Sequence, residues 1–314
     1  MYSNGLTYRF YPFLNQYHYS QSRRDRNPIK DVSIMRPYSL PNGHLSNYVD
    51  LRRWMTPVEH QQDMNTCCAN AFAGVCEYLI KLNSGRHIDV SRLFIYYNAQ
   101  IIGQKTRHVR DAGSEPRDIA LGLRKYGVCD ERTWPYDQSL LNTEPSARAY
   151  EEASKYTVVL LKVPFGVKPI LRCLHNKIPV VVNIKMIENA GEEVKYNHGI
   201  LSIPRLDNTF ILRTNSHAVL IVGYDLHRKL FIVRNSWGNG WGDDGYFRIP
   251  FDYLNEPRLT HSIDVQDGLW TVQHISTRKN KLPTVRRLMI SDNPLPQHHR
   301  GHVHQRRHHH KHFY

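Results

Sequence analysis

The chain reads as an α+β protein whose helices come first and whose strands come second, and three observations predict this. Between residues 67 and 82, Phe72, Val75, Cys76, Leu79 and Leu82 recur at three- and four-residue steps, the period of a helix with one buried face. From about residue 157 the texture changes to short β-branched or apolar runs closed by Gly, Asn or a charge, which is how strands read. Helices and strands segregated in this way build two lobes rather than an alternating α/β sheet. A length of 314 residues suffices to bury a substantial core, in one large domain or two.

Residues 1–45 are rich in Tyr, Arg, Asn, Ser and Pro and show no sustained period, so they read as an N-terminal extension with little regular structure. Arg23-Arg24-Asp25-Arg26 within it reads as a solvated run. A helical lobe is expected over residues 46–156. Its opening, Tyr48-Val49-Asp50-Leu51-Arg52, leads through Thr56-Pro57-Val58 to the helix that begins at Cys67, where Asn65 or Thr66 offers a capping oxygen. A second helix is expected from Ser91 to Ala99. Asp111-Ala112-Gly113-Ser114 forms a turn, after which Ser114 caps and Pro116 opens a helix carrying Ile119, Leu123 and Tyr126, closed by Gly127. Trp134-Pro135-Tyr136 is a rigid loop. In the β-rich lobe, residues 157–275, strands are expected near 156–161, 179–184, 217–222, 230–233 and 245–249. No internal repeat is visible, and residues 276–314 form a basic, His-rich tail.

The net charge of +14 is concentrated in that tail, where nine Lys or Arg from Ser276 to Tyr314 face only Asp292. Such a surplus attracts an anionic partner weakly, nucleic acid or membrane surface, and a solvated tail explains it equally well. The eight histidines from His298 onward either bind transition metals weakly or stay solvated and become charged in acid. The five cysteines, Cys67, Cys68, Cys76, Cys129 and Cys173, are odd in number and lack both disulfide-framework spacing and Cys-x-x-Cys pairs. A reduced compartment suits them, and no metal or cofactor is called for. No apolar run is long enough to span a bilayer. Met1 to Arg9 holds no apolar signal core, so a cytoplasmic location is the default expectation.

Chemistry is suggested first by Cys67, which stands at a helix N-terminus six residues after Gln61. The positive end of the helix dipole favours thiolate there, although a lone cysteine is more often a buried structural residue. Two polar residues downstream stand at the ends of apolar strands. His217 opens Ala218-Val219-Leu220-Ile221-Val222-Gly223-Tyr224. Asn235 follows Leu230 to Arg234 and begins Asn235-Ser236-Trp237-Gly238-Asn239-Gly240-Trp241-Gly242. Any single histidine among 19 is more often structural. Cys, His and Asn in this order, however, are the set that thiol hydrolases need.

Over about residues 46–270 these stretches resemble the papain family of cysteine peptidases. Gln61 to Phe72 matches its Gln-x5-Cys-x-Ala helix start, Ser216-His217-Ala218-Val219 with Val222-Gly223-Tyr224 its histidine strand, and Asn235 to Tyr246 its asparagine motif. The resemblance implies a papain-like two-lobed fold, with a helical left lobe, a β-barrel-like right lobe and the active-site cleft between. It implies a peptidase acting on peptide or protein substrates through a thioester on Cys67, with His217 as acid and base. Thiolate and imidazolium would each shift the other's pKa toward the charged form. Asn235 would orient the imidazole, and Gln61 with the Cys67 backbone N–H would form the oxyanion hole. Trp237 would cover the pair from water. Gly113 and Ser114 would offer backbone to an extended substrate, and Ala218 and Asn183 would line its pocket.

The match has departures. Gln62 lies six residues before Cys68, so spacing alone permits a second register; the small residue expected two beyond the nucleophile favours Cys67, which is followed there by Ala69. Met64 stands where the family has a disulfide-forming cysteine, and Ser216 where Asp or Gly often precedes the histidine. Two other functions stay open at this point: thioester-based acyl transfer or deamidation, and a binding or scaffold protein that keeps the fold and works through its basic tail. The N-terminal extension could also lie along the cleft as a restraining arm.

Overall fold

The structure, a computed structural model, describes residues 35–36, 39–41, 43–105, 108–206 and 214–277. Helix α1 (Cys67–Ser84) runs through the core, and every residue from Cys68 to Ile80 is buried. It is packed on all sides and not on one face only, which is why Ala69, Ala71, Ala73 and Gly74 alternate with larger residues along it. Leu82, expected on a buried face, lies past the packed segment and is 36% exposed. Gly85, at φ 68°, ends the helix in the left-handed conformation that glycine adopts without strain. Thr66 occupies the N-cap position, but its side chain caps nothing. Its hydroxyl meets Tyr136 Oη and accepts from Asn70 Nδ2 at 3.1 Å, so the first-turn N–H groups stay open.

Ser91 caps α2 (Arg92–Gln104), accepting from the Phe94 N–H at 3.1 Å, and the helix runs five residues beyond the expected Ala99. Helix α3 (Pro116–Tyr126) starts at Pro116 and closes at Gly127 as the sequence predicts, with Ile119 and Leu123 buried. Its N-cap is Glu115 and not Ser114. A further helix, α4 (Ala147–Ala153), is capped by Ser146.

The main sheet is organised by one long strand. β5 (Thr214–Asp225) pairs antiparallel with β4 (Val180–Ile187) and with β6 (Leu230–Arg234), and β6 pairs with β7 (Tyr246–Pro250). The far end of β5 also pairs with β2 (Tyr48–Asp50), which comes from ahead of the helices. Gly223 makes that approach possible, because a Cβ there would stand 2.4 Å from the Val49 carbonyl oxygen. A second sheet sets β3 (Tyr156–Val163) between β8 (Leu269–Thr277), antiparallel, and β1 (Met35–Arg36), parallel. Short helices α5 (Val167–His175), α6 (Ala190–Tyr196), α7 (Phe251–Asn255) and α8 (Ser262–Asp267) complete the described chain. The fold is thus α+β, with β1 as a short strand inside the extension. The expectations for residues 1–34 and 278–314, including the restraining arm and the basic His-rich tail, lie outside the described residues. Among those described, no helix is long and apolar enough to cross a membrane.

A buried polar junction joins α1 to β6. Glu77, fully buried on α1, accepts from Thr56 Oγ1 at 2.5 Å and from the Val90 N–H at 3.0 Å. Arg234, at the end of β6, donates to the carbonyl oxygens of Thr56 and Pro57, both at 2.6 Å. Burial pushes the Glu77 carboxyl up to about 8, against the pull of Arg234 toward the ionised form. An acid whose folded pKa is raised above the unfolded 4.5 contributes its full stability below that value and loses it as pH climbs to about 8. Glu77→Gln is therefore expected to flatten the fall of folding stability over this window by about 1.4 kcal/mol per pH unit. Urea midpoints at a series of pH values measure it, and an unchanged slope would mean that Glu77 is ionised in the folded chain.

Candidate active site

Of the five cysteines, all free thiols, Cys67 alone is partly exposed; Cys68, Cys76, Cys129 and Cys173 are buried. The neighbouring doublet sorts in the same way, since Gln61 is buried at 9% exposure and Gln62 is exposed at φ 53°. Cys67 is the first residue of α1. The N–H groups of Ala218 on β5, of Cys68 and of Cys67 itself all act on the thiol, each pulling its pKa down. An uncapped helix end therefore delivers the thiol to the strand that carries His217.

His217 and Asn235 come from adjoining antiparallel strands, Asn235 being the residue after β6. His217 Nε2 lies 2.8 Å from Asn235 Oδ1. That oxygen also accepts from the Ser236 N–H at 2.9 Å, which sets the amide's orientation and makes Nε2 the protonated nitrogen. Nδ1 remains free of this bond. The Trp237 ring stacks on the imidazole with centroids 4.8 Å apart and planes at 30°. Trp237 in turn meets Trp241 edge-on at 5.1 Å, and Trp241 meets Phe247 at 5.4 Å, so an aromatic column backs the histidine.

Burial dominates the electrostatics. It pushes the Cys67 thiol up, while the N–H groups of Ala218 and Cys68 pull it back. It lowers His217 to about 4, with the Asn235 bond acting the other way. Both groups are thus biased to their neutral forms, opposite to the mutual shift toward charge that the sequence suggested. The reason is that each charge taken singly must leave water for a dry site. Cys68 is held still more firmly as thiol, by burial first and then by the fields of Cys67, Glu115, Asp264 and Asp118.

Gln61 is fixed from four directions. Its N–H donates to the Ser236 carbonyl at 2.8 Å, its own carbonyl accepts from Tyr136 Oη at 2.8 Å, and its Oε1 accepts from Ser236 Oγ at 2.6 Å. Its Nε2 gives one N–H to the Met64 carbonyl at 3.0 Å, which leaves the second donor of the carboxamide. In the turn after Asp111, Gly113 donates its N–H to Tyr96 Oη at 3.1 Å and its carbonyl accepts from Gln100 Nε2. Ser114 Oγ is buried and has no partner among the described residues. Asn183 stands opposite Ala218 on β4, but its N–H and Nδ2 are turned to the Asp264 carboxylate at 2.7 and 3.0 Å. Burial raises Asp264 to about 6.

Tyr136, Ser236, Asp111, Tyr96 and Asp264 support these groups and were not read from the sequence. One acidic cluster, Glu59, Glu77 and Asp89, brings carboxylate oxygens within 4.8 Å of one another. Arg92 pairs with Glu59 at 3.0 Å, and Thr56 and Val90 occupy Glu77.

Several known proteins are similar to this chain. The family model described as papain family cysteine protease matches residues 45–263. An uncharacterized peptidase C1-like protein of Acanthamoeba polyphaga mimivirus is 30% identical over 226 residues, 69% of each chain. Papain of Carica papaya is 27% identical over 211 residues, which span 66% of this chain and 55% of that one. Among solved structures, xylellain, a cysteine protease from Xylella fastidiosa, superposes with a TM-score of 0.63 at 29% identity, over 76% of this chain and 91% of that one.

The difference in exposure among the thiols has a direct chemical consequence. Iodoacetamide applied briefly to the folded protein is expected to modify Cys67 and to spare the other four cysteines until denaturant is added. Peptide mapping by mass spectrometry reads the sites, and modification of Cys68 in the folded state would contradict the burial described above.

Proposed function

Because the chain belongs to the papain family of cysteine proteases, we propose that its peptidase chemistry runs through a thioester on Cys67, with His217 moving the protons. The observation that carries this reading is a histidine tied to Asn235 and stacked on Trp237, next on β5 to Ala218, whose N–H acts on the Cys67 thiol.

A dry site favours neutral thiol and neutral imidazole at rest, so the proton passes from Sγ to Nδ1 as the sulfur attacks the substrate carbonyl. The transfer leaves the net charge of the pair at zero, and the attraction between thiolate and imidazolium offsets the burial that opposes each charge alone. Asn235 Oδ1 holds the Nε2–H, which leaves Nδ1 as the nitrogen to take the proton and stabilises the imidazolium when it forms. The carbonyl oxygen, becoming negative, is received by the Cys67 backbone N–H and by the second Nε2–H of Gln61. His217 returns the proton to the departing amine, the C–N bond breaks, and the acyl group stays on sulfur. A water molecule then attacks the thioester while His217 takes its proton, and Cys67 is regenerated as the acid product leaves.

Peptide or protein substrates lie extended along the site and pair with backbone of the Gly113–Ser114 turn at Ser114. Trp237 keeps solvent from the imidazole. Ala218 and Asn183 form the floor beside the sulfur.

Irreversible labelling with a peptidyl epoxide tests the assignment. The mapped adduct is expected on Cys67 and to vanish in His217→Ala, whereas an adduct on Cys68 would overturn it. Gln61→Ala is expected to lower kcat for a peptide substrate by about 100- to 1,000-fold, in line with the loss of one oxyanion donor. An effect confined to KM would remove Gln61 from that role.

A further inference from the structure

Two loops that must act together on one substrate come from separate parts of the chain, residues 61–66 ahead of the thiol and residues 111–114 ahead of α3. A single carboxylate joins them. Asp111 Oδ1 accepts from the Asn65 N–H at 3.0 Å, and Oδ2 accepts from the same group at 3.1 Å. Asn65 Nδ2 donates to the Asp111 carbonyl at 3.0 Å, so the two loops are tied in both directions. Tyr96, fully buried on α2, donates its hydroxyl proton to Asp111 Oδ1 at 2.8 Å and accepts the Gly113 N–H at 3.1 Å. One helical turn further on, Gln100 Nε2 donates to the Gly113 carbonyl. On the thiol side, the Met64 carbonyl takes the Gln61 amide, and Cys67 follows Asn65 by two residues. A hydrogen-bonded path therefore runs from Gln61 through Met64, Asn65, Asp111 and Tyr96 to Gly113.

We propose that Asn65, Asp111 and Tyr96 form a positioning bracket that sets the Gly113–Ser114 turn in register with Cys67, so that an extended substrate held at the turn presents its scissile carbonyl to the sulfur. This rests on the reading of Cys67 as nucleophile. None of the three touches the reacting atoms; they act through the turn. Tyr96 takes the Gly113 N–H and Gln100, outside the bracket, bonds the Gly113 carbonyl, so the backbone that meets the substrate is that of Ser114. Bonds to an ionised acceptor are about twice as strong as neutral ones, and Tyr96 is itself locked by the packing of α2. Burial and the neighbouring Asp111 raise the Tyr96 phenol, so it keeps its proton and remains a donor. Met64 stands one residue from Asn65, where the resemblance leads one to expect a disulfide-forming cysteine. All five cysteines of this chain are free thiols, so the tie between the loops is made here by hydrogen bonds.

The test compares two substrates, a peptide anilide extending several residues ahead of the scissile bond and a single-residue ester with no such backbone. For Tyr96→Phe, KM of the anilide is expected to rise about tenfold, the cost of one such bond, with kcat within about twofold. Both constants for the ester are expected to stay as in the unsubstituted protein. Asp111→Asn keeps one acceptor and is expected to fall between Tyr96→Phe and the unsubstituted protein. Equal losses on both substrates, or no loss on the anilide, would overturn the bracket. Should Tyr96→Phe fail to fold, Asn65→Ala at an exposed position is expected to give the same split at about threefold, and no split there would also overturn it. An unsubstituted protein that cleaves neither substrate would defeat the reading of Cys67 instead, so the two failures are distinguishable.

Discussion

How α1 is seated governs the chemistry of its first residue. The helix lies in the core with no side chain capping its start, and its open N–H groups and the Ala218 N–H act on the same thiol. A capping hydroxyl at Thr66 would satisfy one of those donors, and it would then be lost to any charge formed at the thiol. Thr66 is instead held sideways by Tyr136 and Asn70, and Tyr136 is at once a donor to the Gln61 carbonyl. Tyr136 thus serves both to keep the helix end open and to fix Gln61. Further along, the junction of Glu77, Thr56 and Arg234 ties the helix to β6, one residue from Asn235. Thiol and histidine support are referenced to one another through the core, and not through the surface loops.

Burial of the site explains why its two titratable groups are biased toward neutrality while the site remains suited to charge transfer. A thiolate alone, or an imidazolium alone, would need hydration that the Trp237–Trp241–Phe247 column and β5 deny it. In the proposed mechanism a proton moved between the two would create both charges together, at low effective dielectric, where their attraction is largest. The dipoles already in place supply the rest, with helix N–H groups toward the sulfur and Asn235 Oδ1 toward the ring. Those groups do not reorganise during the step, which is the property that makes fixed donors effective in acyl transfer.

The parts of this arrangement that were legible in the sequence are those with a local signature. The period of α1, the β-branched runs of β4, β5 and β6, and the polar residues at the ends of those strands can all be seen one segment at a time. Where one residue's role is decided by a distant partner, local signature fails. Ser114 followed by Pro116 reads as a cap, yet Glu115 takes the position and the serine hydroxyl lies buried without a bond. Tyr96 and Tyr136 look like ordinary helix and loop aromatics, and only the folded chain turns their hydroxyls to Asp111 and Gln61. β2 is three residues long, far too short to declare itself, and it exists because Gly223 lets Val49 approach β5. The effect of burial on Cys67 and His217 has no local signature for a related reason. A sequence reveals which charges are neighbours but not how much water is left between them.

β5 shows why a site assembled from such distant residues can still be exact in its geometry. Along twelve residues it presents His217 to Asn235, the Ala218 N–H to the thiol, Ala218 opposite Asn183 on β4, and Gly223 to β2. A strand rises by about 3.3 Å per residue with its faces alternating, so these assignments are fixed relative to each other once the register with β4 and β6 is set. A slip of one residue would turn His217 to the opposite face and move Ala218 away from the sulfur together. The bulge between Ile221 and Gly223 falls beyond residues 217 and 218, on the side of β2. The irregularity is therefore confined to one end of β5, and the histidine end keeps a regular pairing with β4.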